Sequence, residues 1–403
     1  MKGNVKLWGL VSLMTFSLCT VGYSQSCLTE GITFTRQSQI DSFPINYPNC
    51  SKIEGDVTIM YVDIKNLSAL NVITSIGGNL LVEGTSLTEF DGLNNLDSLS
   101  GSFSVQSNTN LKNFTGLGRL AFIGGGFFVF QNDSLESFIG LSNLRQVDGY
   151  DFRITSNLGL INLLGFNNLS TISGNVNIYN NSIINLNGLE SLKSIGGELR
   201  IHQNFYLKSI NGLEKIITIG GDLVISSNDS LNSLDGLDNL KTVSGSFDIH
   251  YNDALKNLSG LNSLDSIKGN LSIYSNDSLS KCAVESICRF LSNPNGLINI
   301  NSNAPGCNSA EEIQSICDTL GTPENFLVNQ YMLYPNPAFD ELTISNGTGK
   351  TISGIKIFNQ LGKMVLKIEQ TNEPICITNL RKGYYLVEFI VGEKVVQKPF
   401  LKK

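Results

Sequence analysis

The segment Ile-Gly-Gly-Glu-Leu-Arg-Ile-His-Gln-Asn, residues 195–204, decides the fold because its pattern recurs along most of the chain. Each copy contains an anchor glycine, and successive anchors lie 23 to 25 residues apart. The anchors are Gly55, Gly78, Gly101, Gly125, Gly149, Gly174, Gly197, Gly221, Gly245 and Gly269. A fixed period of this size is typical of stacked coils that share one elongated core. The repeat therefore predicts an all-β solenoid of about ten coils.

Each repeat contains a short alternating segment. Apolar residues stand two and four positions after the anchor, as at Leu199 and Ile201, with a polar residue between them. This alternation predicts a strand with one buried face. A second glycine column, which includes Gly140 and Gly260, predicts a corner with positive φ or close backbone packing.

An asparagine column follows the predicted strands. Asparagine at the same corner of every coil can bond the backbone of its own turn and of its neighbour, so we expect a buried structural ladder. A polar ligand site along this column is the alternative. The column is Asn108, Asn132, Asn157, Asn181, Asn204, Asn228, Asn252 and Asn276.

A second column, on the outward face of the strands, is rich in flat rings. Such rings on an exposed sheet are common at binding sites for sugars or proteins. The alternative is that they reflect β-propensity and stacking between coils. Thr155 and Ser226 interrupt the column, and Ser226 predicts a shallow recess between its neighbours. The candidate binding residues are Phe130, Tyr179, His202, His250 and Tyr274.

The sequence predicts no catalytic residue, no metal site and no cofactor. The two histidines, His202 and His250, have no obvious serine or cysteine nucleophile beside them. The spacing Cys-x5-Cys with Cys-x9-Cys near the end of the repeats is poor for zinc. A β-helical polysaccharide-degrading enzyme remains the alternative, since charged groups could gather on one strand face.

The N-terminus predicts export. Residues 1–25 combine Lys2 and Lys6 with an apolar stretch and a plausible cleavage region, which is typical of a signal peptide. No later apolar run is long enough for a transmembrane segment in the mature chain. Without the signal peptide, 26 basic residues face 35 acidic ones, a net charge of −9. This balance argues against nucleic acid and anionic membranes as partners.

Six cysteines stand at the two ends of the repeats. Cys27 and Cys50 are the natural N-terminal disulfide pair, which would close one end of the core. Four more cysteines follow the last regular repeat, and the sequence leaves their three possible pairings open. These are Cys282, Cys288, Cys307 and Cys317.

The chain changes character after the last regular repeat. Helical spacing at 284–291 and a helix start at Ser309 predict two short cap helices. The expected organisation is a solenoid at 26–318, a linker at 319–329 and a C-terminal domain at 330–403. In the last of these, short alternating segments separated by turns predict a small antiparallel β-sandwich.

The tetrapeptide Asn-Asp-Ser-Leu recurs within the ladder corner, at Asn132, Asn228 and Asn276. It is interpreted as a turn signature of the repeat. An O-glycosylation site at its serine is the alternative.

Two resemblances extend these predictions. The segment from Cys27 to Cys317 resembles the receptor L domain through its Gly-Leu-x-x-Leu-x-x-Ile-x-Gly-x-Leu-x-Ile-x-x-Asn repeats and its flanking cysteines. This resemblance implies a right-handed parallel β-helix. The C-terminal domain resembles type IX secretion sorting domains through Tyr-Pro-Asn-Pro at 334–337, Gly362, the turn at 380–385 and the basic tail. That resemblance implies Sec export, passage across the outer membrane by the type IX machinery, and removal of the domain.

Together these features predict an exported, cell-surface or secreted, non-enzymatic binding or adhesion protein. The resemblance implies that the type IX secretion machinery is one partner, through the C-terminal domain. The other partner is an unidentified glycan or protein. The alternatives are a polysaccharide-degrading β-helix enzyme and a passive surface spacer or coat protein.

Overall fold

The computed structural model describes residues 25–320, 331–346, 352–370, 374–391 and 394–403. The expected signal peptide, apart from Gln25, and most of the expected linker lie outside these ranges. By its internal contacts the chain divides into two compact units. The first reaches Ile183 and includes Asn187–Leu192, and the second comprises Ile184–Leu186 and Lys193–Lys403.

The first unit is a stack of coils, and each coil contributes one strand to each of two parallel sheets. Odd-numbered strands form one sheet and even-numbered strands form the other. In chain order the strands are β1 Gln25–Cys27, β2 Ile32–Phe34, β3 Cys50–Ile53, β4 Val57–Met60, β5 Ser75–Ile76, β6 Leu80–Glu83, β7 Ser98–Leu99, β8 Phe103–Gln106, β9 Phe122–Ile123, β10 Phe127–Phe130, β11 Gln146–Val147, β12 Asp151–Thr155, β13 Thr171–Ile172 and β14 Asn175–Tyr179. Its helices are α1 Gln37–Asp41 and α2 Phe43–Asn46, with a 3-10 turn at Ser68–Leu70.

The repeats of the second unit follow the same plan. Their strands are β15 Ser194–Ile195, β16 Leu199–His202, β17 Thr218–Ile219, β18 Leu223–Ser226, β19 Thr242–Val243, β20 Phe247–His250, β21 Ser266–Ile267, β22 Leu271–Tyr274 and β23 Ile298–Asn301. The exception is β23, which pairs with β22 at the end of the even-numbered sheet. A 3-10 turn spans Ser259–Leu261, and the cap helices are α3 Glu285–Ser292 and α4 Ala310–Leu320. The expected β-solenoid of stacked parallel coils is confirmed. Helix α4 extends two residues into the expected linker.

The cores of the two units differ in composition. In the first unit seven buried phenylalanine rings pack on one another, with centroids of contacting rings 4.5 to 6.4 Å apart. We call this set the phenylalanine core: Phe90, Phe103, Phe114, Phe127, Phe138, Phe152 and Phe166. In the second unit the inward positions of β16, β18, β20 and β22 are leucine or isoleucine, except for Phe247. Aromatic and aliphatic side chains therefore fill the same structural positions in different coils.

The second glycine column allows the coils to pack closely at one corner. Gly140 has φ +112°, and a Cβ there would lie 2.0 Å from the carbonyl oxygen of Phe114. Gly260 lies in a 3-10 turn without positive φ, yet its Cβ would lie 2.1 Å from the carbonyl oxygen of Leu234. Close packing of backbones is the requirement that the two positions share.

The N-terminal segment contains more structure than the sequence predicted. Residues between Cys27 and Cys50 were expected only to precede the first coil, but β1 pairs with β3 and β2 pairs with β4, both in parallel. Phe34, Ile40 and Phe43 are buried in this additional coil. The insertion that carries α1 and α2 lies between β2 and β3. It interrupts the spacing of the repeat, so the sequence pattern did not predict this coil.

The C-terminal region consists of two small antiparallel sheets, as the sequence predicted. In chain order its strands are β24 Tyr331–Tyr334, β25 Glu341–Asn346, β26 Ile352–Asn359, β27 Met364–Gln370, β28 Ile375–Cys376, β29 Gly383–Val391 and β30 Lys394–Lys402. The sheet orders are β24-β25-β28 and β27-β26-β29-β30. Buried side chains of both sheets form one core, where the rings of Tyr331 and Phe389 meet edge to face at 5.3 Å. Within the described residues, no helix has the length and hydropathy needed to cross a membrane.

Candidate binding face

The asparagine column lies inside the coils. At Asn132 the backbone N–H donates to Oδ1 of Asn157 at 3.1 Å. Its Nδ2 donates to the carbonyl oxygens of Val105, in the previous coil, and of Phe130, at 3.0 and 3.1 Å. Its Oδ1 accepts from the backbone N–H of Asn108, also in the previous coil. Asn132 thus links its own coil to the coils before and after it. All eight asparagines of the column are buried, which closes this corner to solvent.

The sequence pattern did not identify two residues of the ladder, one at each end. Thr85 takes the asparagine position in its coil, and its backbone N–H and its hydroxyl donate to Oδ1 of Asn108 at 2.9 and 2.6 Å. Asn303 continues the ladder, because Asn276 donates its backbone N–H to Oδ1 of Asn303 at 3.0 Å. Asn303 stands 27 residues after Asn276, since α3 lengthens that coil and breaks the period.

The residue just before each ladder asparagine adopts the left-handed conformation although it is not glycine. Gln131, Ser227 and Tyr251 have φ of 57°, 53° and 54°. This turn ends the strand and lets the following asparagine point inward. At Tyr251 it leaves a large ring on the surface, 52% exposed. Tyr251 was not among the predicted binding residues, because serine, glutamine and asparagine usually occupy this position.

The outward column forms two sets of neighbours in register. In the first unit Phe130 pairs with Thr155, which pairs with Tyr179. In the second unit His202, Ser226, His250 and Tyr274 follow one another across β16, β18, β20 and β22. The ring-bearing side chains are half-buried. Ser226 is only 7% exposed, so the side chains around it shield the floor of the expected recess from solvent.

Three rings of the second unit pack into one surface group. The rings of His250 and Tyr274 stack with centroids 4.7 Å apart and planes within 3°. Tyr251 meets both edge to face, at 5.3 Å from His250 and 5.8 Å from Tyr274. We call His250, Tyr251 and Tyr274 the ring cluster. Such contacts add about 0.5–1.5 kcal/mol per pair beyond area burial, so the group holds its shape before any ligand arrives.

The two histidines have different surroundings. Nδ1 of His250 lies 2.7 Å from Oδ1 of Asp248, which orients the ring within the cluster. Burial, the nearby Arg200 guanidinium and His250 lower the pKa of His202 to about 4, so His202 is neutral at neutral pH. Burial, followed by the charge of Asp248 and the neighbouring Tyr251, raises the pKa of Tyr274, which keeps its hydroxyl protonated.

The cysteines staple the ends of the solenoid. Cys27 bonds Cys50 across β1 and β3. At the other end the structure resolves the open choice, because Cys282 bonds Cys307 and Cys288 bonds Cys317. The second of these ties α3 to α4 over the last coils. Throughout the described ranges, no group of three or more His, Cys, Asp or Glu side chains could hold a metal ion.

Two families of known proteins match the chain. The receptor L domain matches residues 49–135 and 217–317. The secretion system C-terminal sorting domain matches residues 332–403, which indicates a protein that is secreted or displayed at the cell surface. A comparison with curated proteins found no match. The β-solenoid therefore contains two segments similar to the receptor L domain, and they are followed by a segment similar to C-terminal sorting domains of type IX secretion.

Proposed function

We propose that this protein is an exported, non-enzymatic adhesion or binding protein that captures a glycan or protein ligand on the outward face of its C-terminal coils. The ring cluster carries the proposal. Its three rings are held against one another, with His250 and Tyr274 on an open parallel sheet and Tyr251, 52% exposed, in the turn after β20. Exposed, preorganised aromatic groups of this kind are typical of recognition surfaces.

The interior of the coils supports this choice of face. The ladder asparagines use their amide groups on backbone partners and are buried. A ligand therefore meets the side chains that point outward. Among these, His202, His250 and Tyr274 lie on strands fixed by continuous backbone pairing, which gives a rigid platform. Phe130 and Tyr179 lie at the equivalent outward positions of the first unit and are proposed as a separate set of binding residues.

The proposal also includes the route by which the protein is exported. The sorting domain at 330–403 would engage the type IX machinery and be removed, and the signal peptide at 1–25 would direct the earlier Sec step. The mature product would be the solenoid at 26–318, with disulfides suited to an oxidising environment outside the cell.

Glycan and protein arrays probed with the exported protein test this function. We expect capture of a defined ligand class by the wild-type protein and loss of that capture in Tyr251→Ala/Tyr274→Ala. Tyr150→Ala is the matched control, because Tyr150 is 92% exposed on the first unit and outside the proposed face. Unchanged capture by the double variant would reject the face. Turnover of an arrayed polysaccharide would favour an enzyme, and the absence of any capture would favour a passive spacer.

A further inference from the structure

Negative charge borders the ring cluster. Asp229, Asp253 and Asp277 each follow a ladder asparagine directly, and all three are exposed. The backbone N–H of Ala254 donates to the carbonyl oxygen of Asp229, and that of Ser278 donates to the carbonyl oxygen of Asp253, each at 3.2 Å. These bonds place the three aspartates side by side in successive coils. With coils about 4.8 Å apart, the row is about 10 Å long.

The carboxylates of this row repel one another. Partial burial and then the charges of Asp277 and Asp229 raise the pKa of Asp253. Within the described part of the chain, the ion pairs of lysine and arginine involve other carboxylates. An external cation placed along the row would relieve this repulsion.

The rings beside the row provide the second element for cation recognition. Tyr251 precedes Asp253 by two residues, and the ladder residue between them is buried. Asp248 lies on β20 with His250, and its carboxylate contacts the His250 ring, so it adds a fourth carboxylate beside the cluster. Ammonium and guanidinium groups bind the faces of tyrosine rings by cation–π attraction, and nearby carboxylates strengthen the binding.

We infer that the ring cluster and its row of aspartates form a docking surface for a basic, extended segment of a partner protein. This inference rests on the proposed binding function and names its ligand class. In an extended peptide, side chains on the same side recur about every 6.6–6.8 Å, so two lysine or arginine side chains can span the row. A neutral glycan would leave the row uncompensated, and an anionic glycan would be repelled by it.

The charge pattern is confined to these coils. At the same corner in the first unit, the residues after the ladder asparagines are Thr109, Asp133, Leu158 and Ser182. Asp133 is thus an exposed acid in the same turn but without acidic neighbours in the adjacent coils. It provides a matched control for the row.

Fluorescence anisotropy with the exported protein tests the inference. The probe is a fluorescein-labelled nonapeptide of alternating arginine and serine, and the counter-probe has glutamate in place of arginine. We expect the arginine probe to bind, and raising NaCl from about 50 to 500 mM to weaken it, since exposed charges are screened. The triple variant Asp229→Asn/Asp253→Asn/Asp277→Asn should weaken binding roughly 3- to 100-fold, because it removes the charges of three exposed carboxylates. Tyr251→Ala should weaken it about 2- to 5-fold.

Asp133→Asn should bind the arginine probe as the wild-type protein does. The triple variant should unfold at no lower denaturant concentration than wild type, because it loses only like-charge repulsion. Equal binding of the arginine probe by wild type and triple variant, or preference for the glutamate probe, would overturn the inference. Capture of a neutral glycan that needs Tyr251 and Tyr274 but none of the three aspartates would also overturn it, while leaving the binding face in place.

Discussion

The phenylalanine core and the ring cluster use the same kind of side chain in opposite ways. In the core, rings such as Phe127 and Phe138 point inward and are fully buried. In the cluster, Tyr274 points outward from a strand with the same register relative to its anchor glycine. Phe127 stands two residues after Gly125 and Tyr274 stands five after Gly269, so an odd number of positions separates them. Because successive side chains of a strand alternate between faces, the two rings lie on opposite faces. Position relative to the anchor therefore decides whether a ring of a strand packs inside the coils or lies on their outward face.

The largest expected effect comes from the inside of this comparison. Phe127 and Phe128 are adjacent on β10, with Phe127 buried and Phe128 half-buried on the other face. Phe127→Ala should lower the free energy of unfolding by about 3–5 kcal/mol, because it leaves a cavity among stacked rings. Phe128→Ala should cost less than half as much. Denaturant unfolding of both variants measures this, and equal losses would contradict the assigned faces.

The ladder should show the next largest effect. Asn228 donates from Nδ2 to the carbonyl oxygens of Ile201 and Ser226, both at 3.0 Å, and accepts from the backbone N–H of Asn204. Asn228→Ala strands these buried groups and should cost about 1–3 kcal/mol. Asn204→Ala should behave alike. Asn239 is the control, since it is exposed and its Nδ2 donates to the carbonyl oxygen of Glu214. A change below about 0.5 kcal/mol at Asn228 would mean that water replaces its bonds.

The contribution of His202 to the free energy of unfolding should depend on pH, unlike that of the core and ladder residues. Its pKa is about 4 in the folded chain and 6.5 in the unfolded chain. Between these values the unfolded chain binds a proton that the folded chain does not, so the unfolding free energy falls as pH drops from 6.5 towards 4. His202→Gln removes this contribution. The stability difference between wild type and variant should shift between pH 7.5 and 5, by less than the loss in Asn228→Ala, and stay constant between pH 7.5 and 8.5. A constant difference down to pH 4 would contradict the burial of His202.

Much of the fold was predictable because the same sequence pattern recurs in most of the coils. The anchor glycines, the alternation after them and the ladder asparagines each recur with a spacing that local geometry requires. Elements that occur once, such as the N-terminal coil with α1 and α2 and the ladder residue Asn303, break that period and were not predicted. The disulfide partners of Cys282 and Cys288 depend on how α3 and α4 pack. The spacing of the cysteines in the sequence does not determine that packing.

The candidate site was predictable only in part. The outward column follows from strand alternation, so His250 and Tyr274 could be identified from the sequence. Their stacking depends on rotamers, which a sequence does not specify. Tyr251 joins them because the left-handed turn after β20 leaves its ring on the surface. The role of the column as a binding face remains a prediction.

The most direct test of the account is a paired measurement of affinity and stability for one core variant and one surface variant. The ligand is the one captured most strongly on the arrays, and titration calorimetry measures its binding. Each ring lost in Tyr251→Ala/Tyr274→Ala should cost about 1–2 kcal/mol of binding free energy. The stability loss should be limited to the ring contacts that disappear, about 0.5–1.5 kcal/mol per pair. Phe127→Leu should lower stability and leave the affinity as in wild type. Wild-type affinity in the double tyrosine variant would contradict the central claim that the ring cluster is the binding face.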